Sequence, residues 1–443
     1  MSGERKIGYW SVVAISVGGM VGGGIFAVLG LSVQMAHGGT PIAFLLAGAV
    51  AMVTSYSYAK LSVAYPTQGG TVEFLNQAFG EGEFTGGLNV LLLLSYIIML
   101  SLYAFAFGSY GASFFPSGSQ LLWKHILISG VIVLFTLLNA FGAGIVGEAE
   151  EWVVGFKIVI LLLFIGAGIW SVQGSQLAPG AWSPPLQLLA GGMIIFLAYE
   201  GFELIANTAG DVSNPGRTLP AAYYSSIGFV IVLYILVSLV TVGNLSVDKI
   251  VAAKDYALAE SARPFLGQFG YTLIAIAALL STGSAINATL YGSSRISYII
   301  AKEGELPEIL EKKVWKRPIE GLLLTAGVTL IVANLFDLSS ISMMGSAGFL
   351  IIFASVNVAN ARLHRNTRSS QWLSIIGALV CCLALVALVW HTALETPSHL
   401  WILIGMIGLA FAVELVYREA TGRSIKRIMS ASVHDAETMK RDR

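Results

Sequence analysis

Long apolar runs separated by short, proline-marked breaks set the pattern of this chain. A helix that crosses a bilayer needs about 20 mostly apolar residues. Twelve such segments are predicted, near 8–36, 40–65, 84–113, 123–142, 151–172 and 186–211, then 220–243, 267–298, 319–336, 339–361, 372–391 and 399–418. The breaks carry Pro41, Pro66, Pro116, Pro184, Pro185, Pro215, Pro220, Pro264, Pro307, Pro318 and Pro397. The expectation is an all-α membrane protein with twelve transmembrane helices. Residues 1–172 hold spans 1–5, 186–361 hold spans 6–10 and 372–418 hold spans 11–12, with a polar tail over 419–443.

Composition agrees with lipid as the solvent. Apolar residues make up 56% of the 443 and charged residues 11%, against about a quarter charged in soluble domains. The mean hydropathy is +0.78. A formal net charge of zero excludes the strongly basic balance of a nucleic-acid binder. No short apolar core followed by a small-residue cleavage site reads as a signal peptide. Basic residues fix the expected orientation. With both termini in the cytoplasm, Lys124, Lys249, Lys254 and Arg263 fall outside and Lys157 falls within a span, which leaves about 20 of the 25 inside. The expected location is the cytoplasmic membrane, multi-pass. Cys381 and Cys382 are adjacent and give no metal-ligand spacing, and the six histidines lie at segment ends. Neither a metal nor a cofactor is expected.

Two spans are unusual. The first contains Gly18-Gly19-Met20-Val21-Gly22-Gly23-Gly24-Ile25-Phe26, and each glycine weakens a helix by about 0.8–1 kcal/mol relative to alanine. Gly18 and Gly22 also have the spacing of a small-residue packing face. Three consecutive glycines exceed what close packing needs, so a break is expected at Gly22–Gly24. The sixth span contains Phe196-Leu197-Ala198-Tyr199-Glu200-Gly201-Phe202-Glu203. Carboxylates inside an apolar helix need a local reason, and an unwound stretch at Gly201 would supply one. Spans one and six each open a five-span set, and interrupted segments in matching positions point to a transporter's binding site. Freed N–H groups at Gly22, Gly23, Gly24 and Ile25 would suit a carboxylate. Freed carbonyls at Met20, Leu197 and Glu200 would suit an ammonium group, with Gly201 opening the chain and Phe202 or Tyr199 capping the cavity. Together these would suit an amino acid substrate.

The same residues carry a resemblance. The chain resembles the amino acid–polyamine–organocation superfamily of permeases at Gly22-Gly23-Gly24-Ile25-Phe26, at Ala64-Tyr65-Pro66-Thr67-Gln68-Gly69-Gly70, and at Ala198-Tyr199-Glu200-Gly201-Phe202-Glu203. A fourth stretch runs from Asp211-Val212-Ser213-Asn214-Pro215 through Gly216-Arg217-Thr218-Leu219-Pro220. The resemblance implies the five-plus-five inverted repeat of the leucine-transporter type with two C-terminal helices added, and alternating access around a midplane substrate. It implies that Gly23 and Gly24 take the carboxylate, and that the carbonyls of Met20, Leu197 and Glu200 take the amine. Many members carry Ser where Gly23 stands, so here only the N–H remains.

Lys157 lies some six residues past Glu151, about 9 Å into its span. Either its chain snorkels to the cytoplasmic surface, or the ammonium is buried and exchanges a proton during transport. In sodium-independent members of the superfamily a span-five lysine occupies the place of a sodium ion, with span-eight neighbours here at Ser281 and Ser284. The expectation is a proton-coupled symporter of amino acids, with a proton and a lipid bilayer as its other partners. An exchanger of amino acids or amines is the alternative. No phosphate loop, H-E-x-x-H or histidine cluster suggests an enzyme.

Overall fold

The computed structural model describes residues 7–80, 82–141, 146–302 and 319–421. Regular structure among them is helical, apart from isolated backbone bridges of Ile7 with Val212 and His37 with Trp182. The helices are α1 (Tyr9–Ala36), α2 (Thr40–Ala64), α3 (Thr71–Phe79), α4 (Glu83–Ala112) and α5 (Gln120–Phe141). Then come α6 (Val146–Gly168), α7 (Gly174–Leu177), α8 (Pro185–Ile194) and a 3-10 helix over Phe196–Asp211. The rest are α9 (Pro215–Asn244), α10 (Val247–Ala252), α11 (Ala257–Lys302), α12 (Ile319–Leu335), α13 (Leu338–Arg362), α14 (Gln371–Glu395) and α15 (Pro397–Thr421). The basic stretch over 303–318 and the expected tail beyond residue 421 lie outside the described residues.

Among the described residues, ten helices are long and apolar enough to cross a membrane, and the bent pair of α8 with the 3-10 helix makes eleven. The remaining expected segment is α12, an apolar helix with 17 described residues. The protein is therefore a multi-pass membrane protein. Proline starts several elements where its missing N–H costs nothing, as in α2, α8 and α9. In α11 the expected start at residue 267 coincides with a kink, where Gly267 adopts φ +62°, a conformation open to glycine.

Burial sorts the helices. α4 is enclosed along almost its whole length, and α1 and α13 along most of theirs, whereas α5 and α15 turn most residues outward. The outward residues are large and apolar, among them Leu121, Leu134, Leu163, Leu383 and Ile404, as a lipid-facing surface requires. Exposed tryptophans stand near helix ends. Trp10 and Trp372 open α1 and α14 and Trp152 lies in the second turn of α6, while Trp170, Trp390 and Trp401 lie at the opposite ends of the bundle's segments. Amphipathic rings collect at both membrane interfaces in this way.

Candidate functional site

The expected break in span one is absent. α1 runs without interruption from Tyr9 to Ala36, through Gly22, Gly23 and Gly24. The glycines instead let neighbouring chains approach. A Cβ at Gly22 would stand 2.9 Å from the Cβ of Ala285, and one at Gly24 would stand 2.7 Å from the Cα of Ala198. At Gly23 it would run into the ring of Tyr103, and at Gly18 it would come within 2.9 Å of Val154 Cγ2. α1 is thus packed on α4, α6, α11 and the 3-10 helix at once. Without Cβ atoms the backbones gain van der Waals contact, which drives helix association in lipid.

Span six is broken, but six residues before the expected point. α8 ends at Ile194, Ile195 sits at φ −95°, ψ 3°, and the chain bends by 42° into the 3-10 helix. Gly201 lies inside that helix, where its role is contact. A Cβ there would collide with Met20 N and the carbonyl carbon of Gly19. Sixteen residues of 3-10 helix is long for a geometry that seldom runs past three or four, and the segment needs outside support. Ser342 and Ser346 of α13 supply it at the bend. Both hydroxyls donate to the Ile194 carbonyl, at 2.6 and 2.9 Å, and Leu197 N donates to Ser346 Oγ at 3.1 Å. Sequence reasoning missed these two serines, although their i, i+4 spacing on an apolar helix was a readable signal.

The expected acceptor on α1, the Met20 carbonyl, and the two carbonyls after it are engaged by side chains. Tyr234 Oη of α9 donates to the Met20 carbonyl at 2.6 Å and reaches the Ala198 carbonyl at 3.3 Å. Ser281 of α11 donates to the carbonyl of Val21 at 2.9 Å and also to that of Gly22. Lys157 does not snorkel. It is 1% exposed, and its Nζ donates to the Gly18 carbonyl at 2.9 Å. Lys157 and Ser281 therefore hold α1 from two helices within one turn. Ser284 lies three residues further along α11 and is partly buried.

The remaining expected residues are interior. Ile25, Leu197 and Phe202 are buried. Phe202 packs its ring 5.3 Å from Tyr58 and 5.1 Å from Phe353, and Tyr199 donates its hydroxyl to the Phe44 carbonyl. These rings make packing contacts with α2 and α13. Glu200 and Glu203 are both buried. Glu203 Oε2 accepts from Tyr58 Oη at 3.1 Å and from Thr71 Oγ1 at 3.3 Å.

Both ends of the crossing are tied. On the side of the α1 start, Ile7 N donates to the Asp211 carbonyl at 2.9 Å, and Ser213 N donates to the Ile7 carbonyl at 3.0 Å. Gln68 bridges Asp211 and Arg295 there, accepting from Arg295 Nη2 at 2.6 Å. At the other end Lys124 of α5 pairs with Asp255 at 2.8 Å and lies over the Phe105 ring. Among the described residues no group of three His, Cys, Asp or Glu could hold a metal.

Comparison with known proteins matches this architecture. The family model described as amino acid permease matches residues 7–412. The inner membrane transport protein YbaT of Escherichia coli is 34% identical, with 94% of this chain and 97% of that protein covered. An uncharacterized protein of Methanocaldococcus jannaschii is 33% identical, over 96% and 98% of the two chains. The chloroplastic cationic amino acid transporter 9 of Arabidopsis thaliana is 28% identical, over 94% and 78%. The named relatives are transporters rather than enzymes, in keeping with the enclosed crossing of two apolar segments described above. The chain belongs to the amino acid permease family, within the amino acid–polyamine–organocation superfamily.

Proposed function

We propose that this protein is a secondary active amino acid transporter that works by alternating access, with twelve spans, a five-plus-five inverted repeat over 1–172 and 186–361, and both termini in the cytoplasm. The observation that carries the reading is the crossing of α1 with the broken sixth span, backbone against backbone at Gly19, Met20 and Gly201. Substrate binds where these segments meet, between Met20–Ile25 and Leu197–Phe202. In the closed arrangement side-chain hydroxyls occupy the carbonyls there. A substrate ammonium takes the place of those donors when the segments part, so binding energy is exchanged rather than newly created.

Coupling runs through Lys157. Its ammonium is bonded to the carbonyl of Gly18, one turn before Gly22, and loss of its proton turns that charge-assisted bond into a weaker neutral one. Movement of α1 then depends on protonation, which is what proton symport requires. Purified protein reconstituted into vesicles tests the reading. An inward proton gradient drives accumulation of a labelled amino acid in empty vesicles. The Lys157→Ala variant binds substrate yet equilibrates it without accumulation. Uptake that responds only to amino acid loaded inside would replace symport with exchange. Full accumulation by Lys157→Ala would remove the coupling role.

A further inference from the structure

We propose that Glu200 and Glu203 form a second proton site, in which a single proton carried by the Glu200 carboxyl is donated to Glu203. The two residues lie on one face of the 3-10 helix, three positions apart, and a 3-10 helix eclipses side chains at that spacing. Both are fully enclosed, Glu200 at 0% and Glu203 at 1% exposure. The helix therefore sets the two carboxyl groups side by side in the interior. Three oxygens in the pair have no partner: Oε1 and Oε2 of Glu200, and Oε1 of Glu203.

The surroundings decide which carboxyl is the acid. Glu203 is held by donors, with the hydroxyls of Tyr58 and Thr71 both on its Oε2. A carboxylate surrounded by donors suits the ionised form. No donor reaches Glu200, so a proton must come with it. One proton on Glu200, pointed at Glu203 Oε1, satisfies two of the three vacant oxygens. It leaves a single acid carbonyl, the kind of acceptor most often buried without a full complement of bonds.

The titratable groups that face the pair are phenols. Tyr58 approaches from α2, Tyr96 and Tyr103 from α4, and Tyr223 from α9. α1 presents backbone at Gly19 and Met20 against Gly201, and α13 presents the Phe353 ring beside Phe202. Among the described residues no salt bridge reaches either carboxyl. Two negative charges in contact with no cation to offset them are not sustained in an interior of this kind. The site thus has the form of a carboxylic acid–carboxylate dyad that shares one proton. It flanks the same crossing that Lys157 grips from α6. The dyad itself does not depend on the transport reading.

Infrared difference spectroscopy on purified full-length protein at neutral pH tests it. The wild type shows the C=O stretch of a protonated carboxyl. The band disappears in Glu200→Gln, a variant isosteric with the acid. It persists in Lys157→Ala and in Glu414→Gln, which removes a further buried carboxyl, paired with Arg418. In Glu203→Gln the band changes frequency or is lost, because its acceptor is no longer a carboxylate. A wild type without the band overturns the proposal, as does a band that survives Glu200→Gln. Should Glu200→Gln fail to fold, a band unchanged in Glu203→Gln overturns it equally. The spectrum is read without uptake, so its outcome is separate from whether Lys157 couples transport.

Discussion

Gly201→Ala offers the sharpest test of the crossing. The added methyl would point at Met20 N and at the Cα and carbonyl carbon of Gly19. These are backbone atoms of a continuous helix, so no rotamer change relieves the overlap. α1 and the 3-10 helix must separate locally, and α1 is already wedged against Ala285 at Gly22 and against Tyr103 at Gly23. Overpacking of this kind costs about 1–3 kcal/mol, and the rigid backbone on the receiving side places Gly201→Ala toward the upper part of that range. Equilibrium unfolding in mixed micelles with a graded denaturing detergent measures it. Two controls bracket the result. At Gly155 of α6 a Cβ would meet nothing within 4 Å, and alanine is the better helix former by about 0.8–1 kcal/mol, so Gly155→Ala does not destabilise. At Gly23 the methyl meets the side chain of Tyr103, which can shift, so Gly23→Ala falls between the two. If Gly201→Ala is as stable as wild type and transports at the same rate, the backbone contact is not what holds the segments together.

Three further outcomes follow from the same geometry. Ser342→Ala leaves the Ile194 carbonyl one donor and costs about 0.5–1.5 kcal/mol in the same unfolding assay, while Ser346→Ala costs more because it also strips the acceptor from Leu197 N. The double variant orphans a buried carbonyl, so its cost exceeds the sum of the two, and strict additivity would count against the bend being held this way. Asp337 caps α13 and accepts from the N–H and hydroxyl of Ser340. Partial desolvation pushes its carboxyl up, but the Ser340 bonds, with His399 and Lys254 nearby, outweigh it and hold the group below the usual carboxylate range. A depressed folded-state value means that the stabilisation is present above about pH 4, the unfolded range, and is lost as pH falls through the lower folded value. Asp337→Asn therefore flattens the acid limb of a pH–stability curve below about pH 4 while leaving the curve near neutrality parallel to wild type.

Much of the fold was legible because lipid imposes a simple rule on sequence. Any segment that crosses must be apolar for about 20 residues and must satisfy its backbone internally, so the runs announced the helices and the prolines announced their starts. Lys157 was legible for a related reason. A lone cation in an apolar stretch has few ways to be tolerated, and a main-chain carbonyl is one of them.

The position of the break was not legible, and the two spans show why. At Gly22–Gly24 composition favours opening the helix, because glycine is a poor helix former in water. In a packed bundle the missing Cβ is worth more as room, and Tyr103, Ala198 and Ala285 fill it. Those neighbours lie on three other segments, so nothing within the first span reveals them. The break that does form lies between Ile194 and Phe196, where neither glycine nor proline marks the chain. It is held open by hydroxyls 148 and 152 residues away in sequence. A local breaker lowers the cost of leaving a helix, whereas a distant donor raises the reward for doing so, and burial makes the second effect the larger. An unsatisfied carbonyl inside a membrane protein costs more than a single glycine's propensity, so the donors of α13, and not the glycines of α1, decide where the main chain turns.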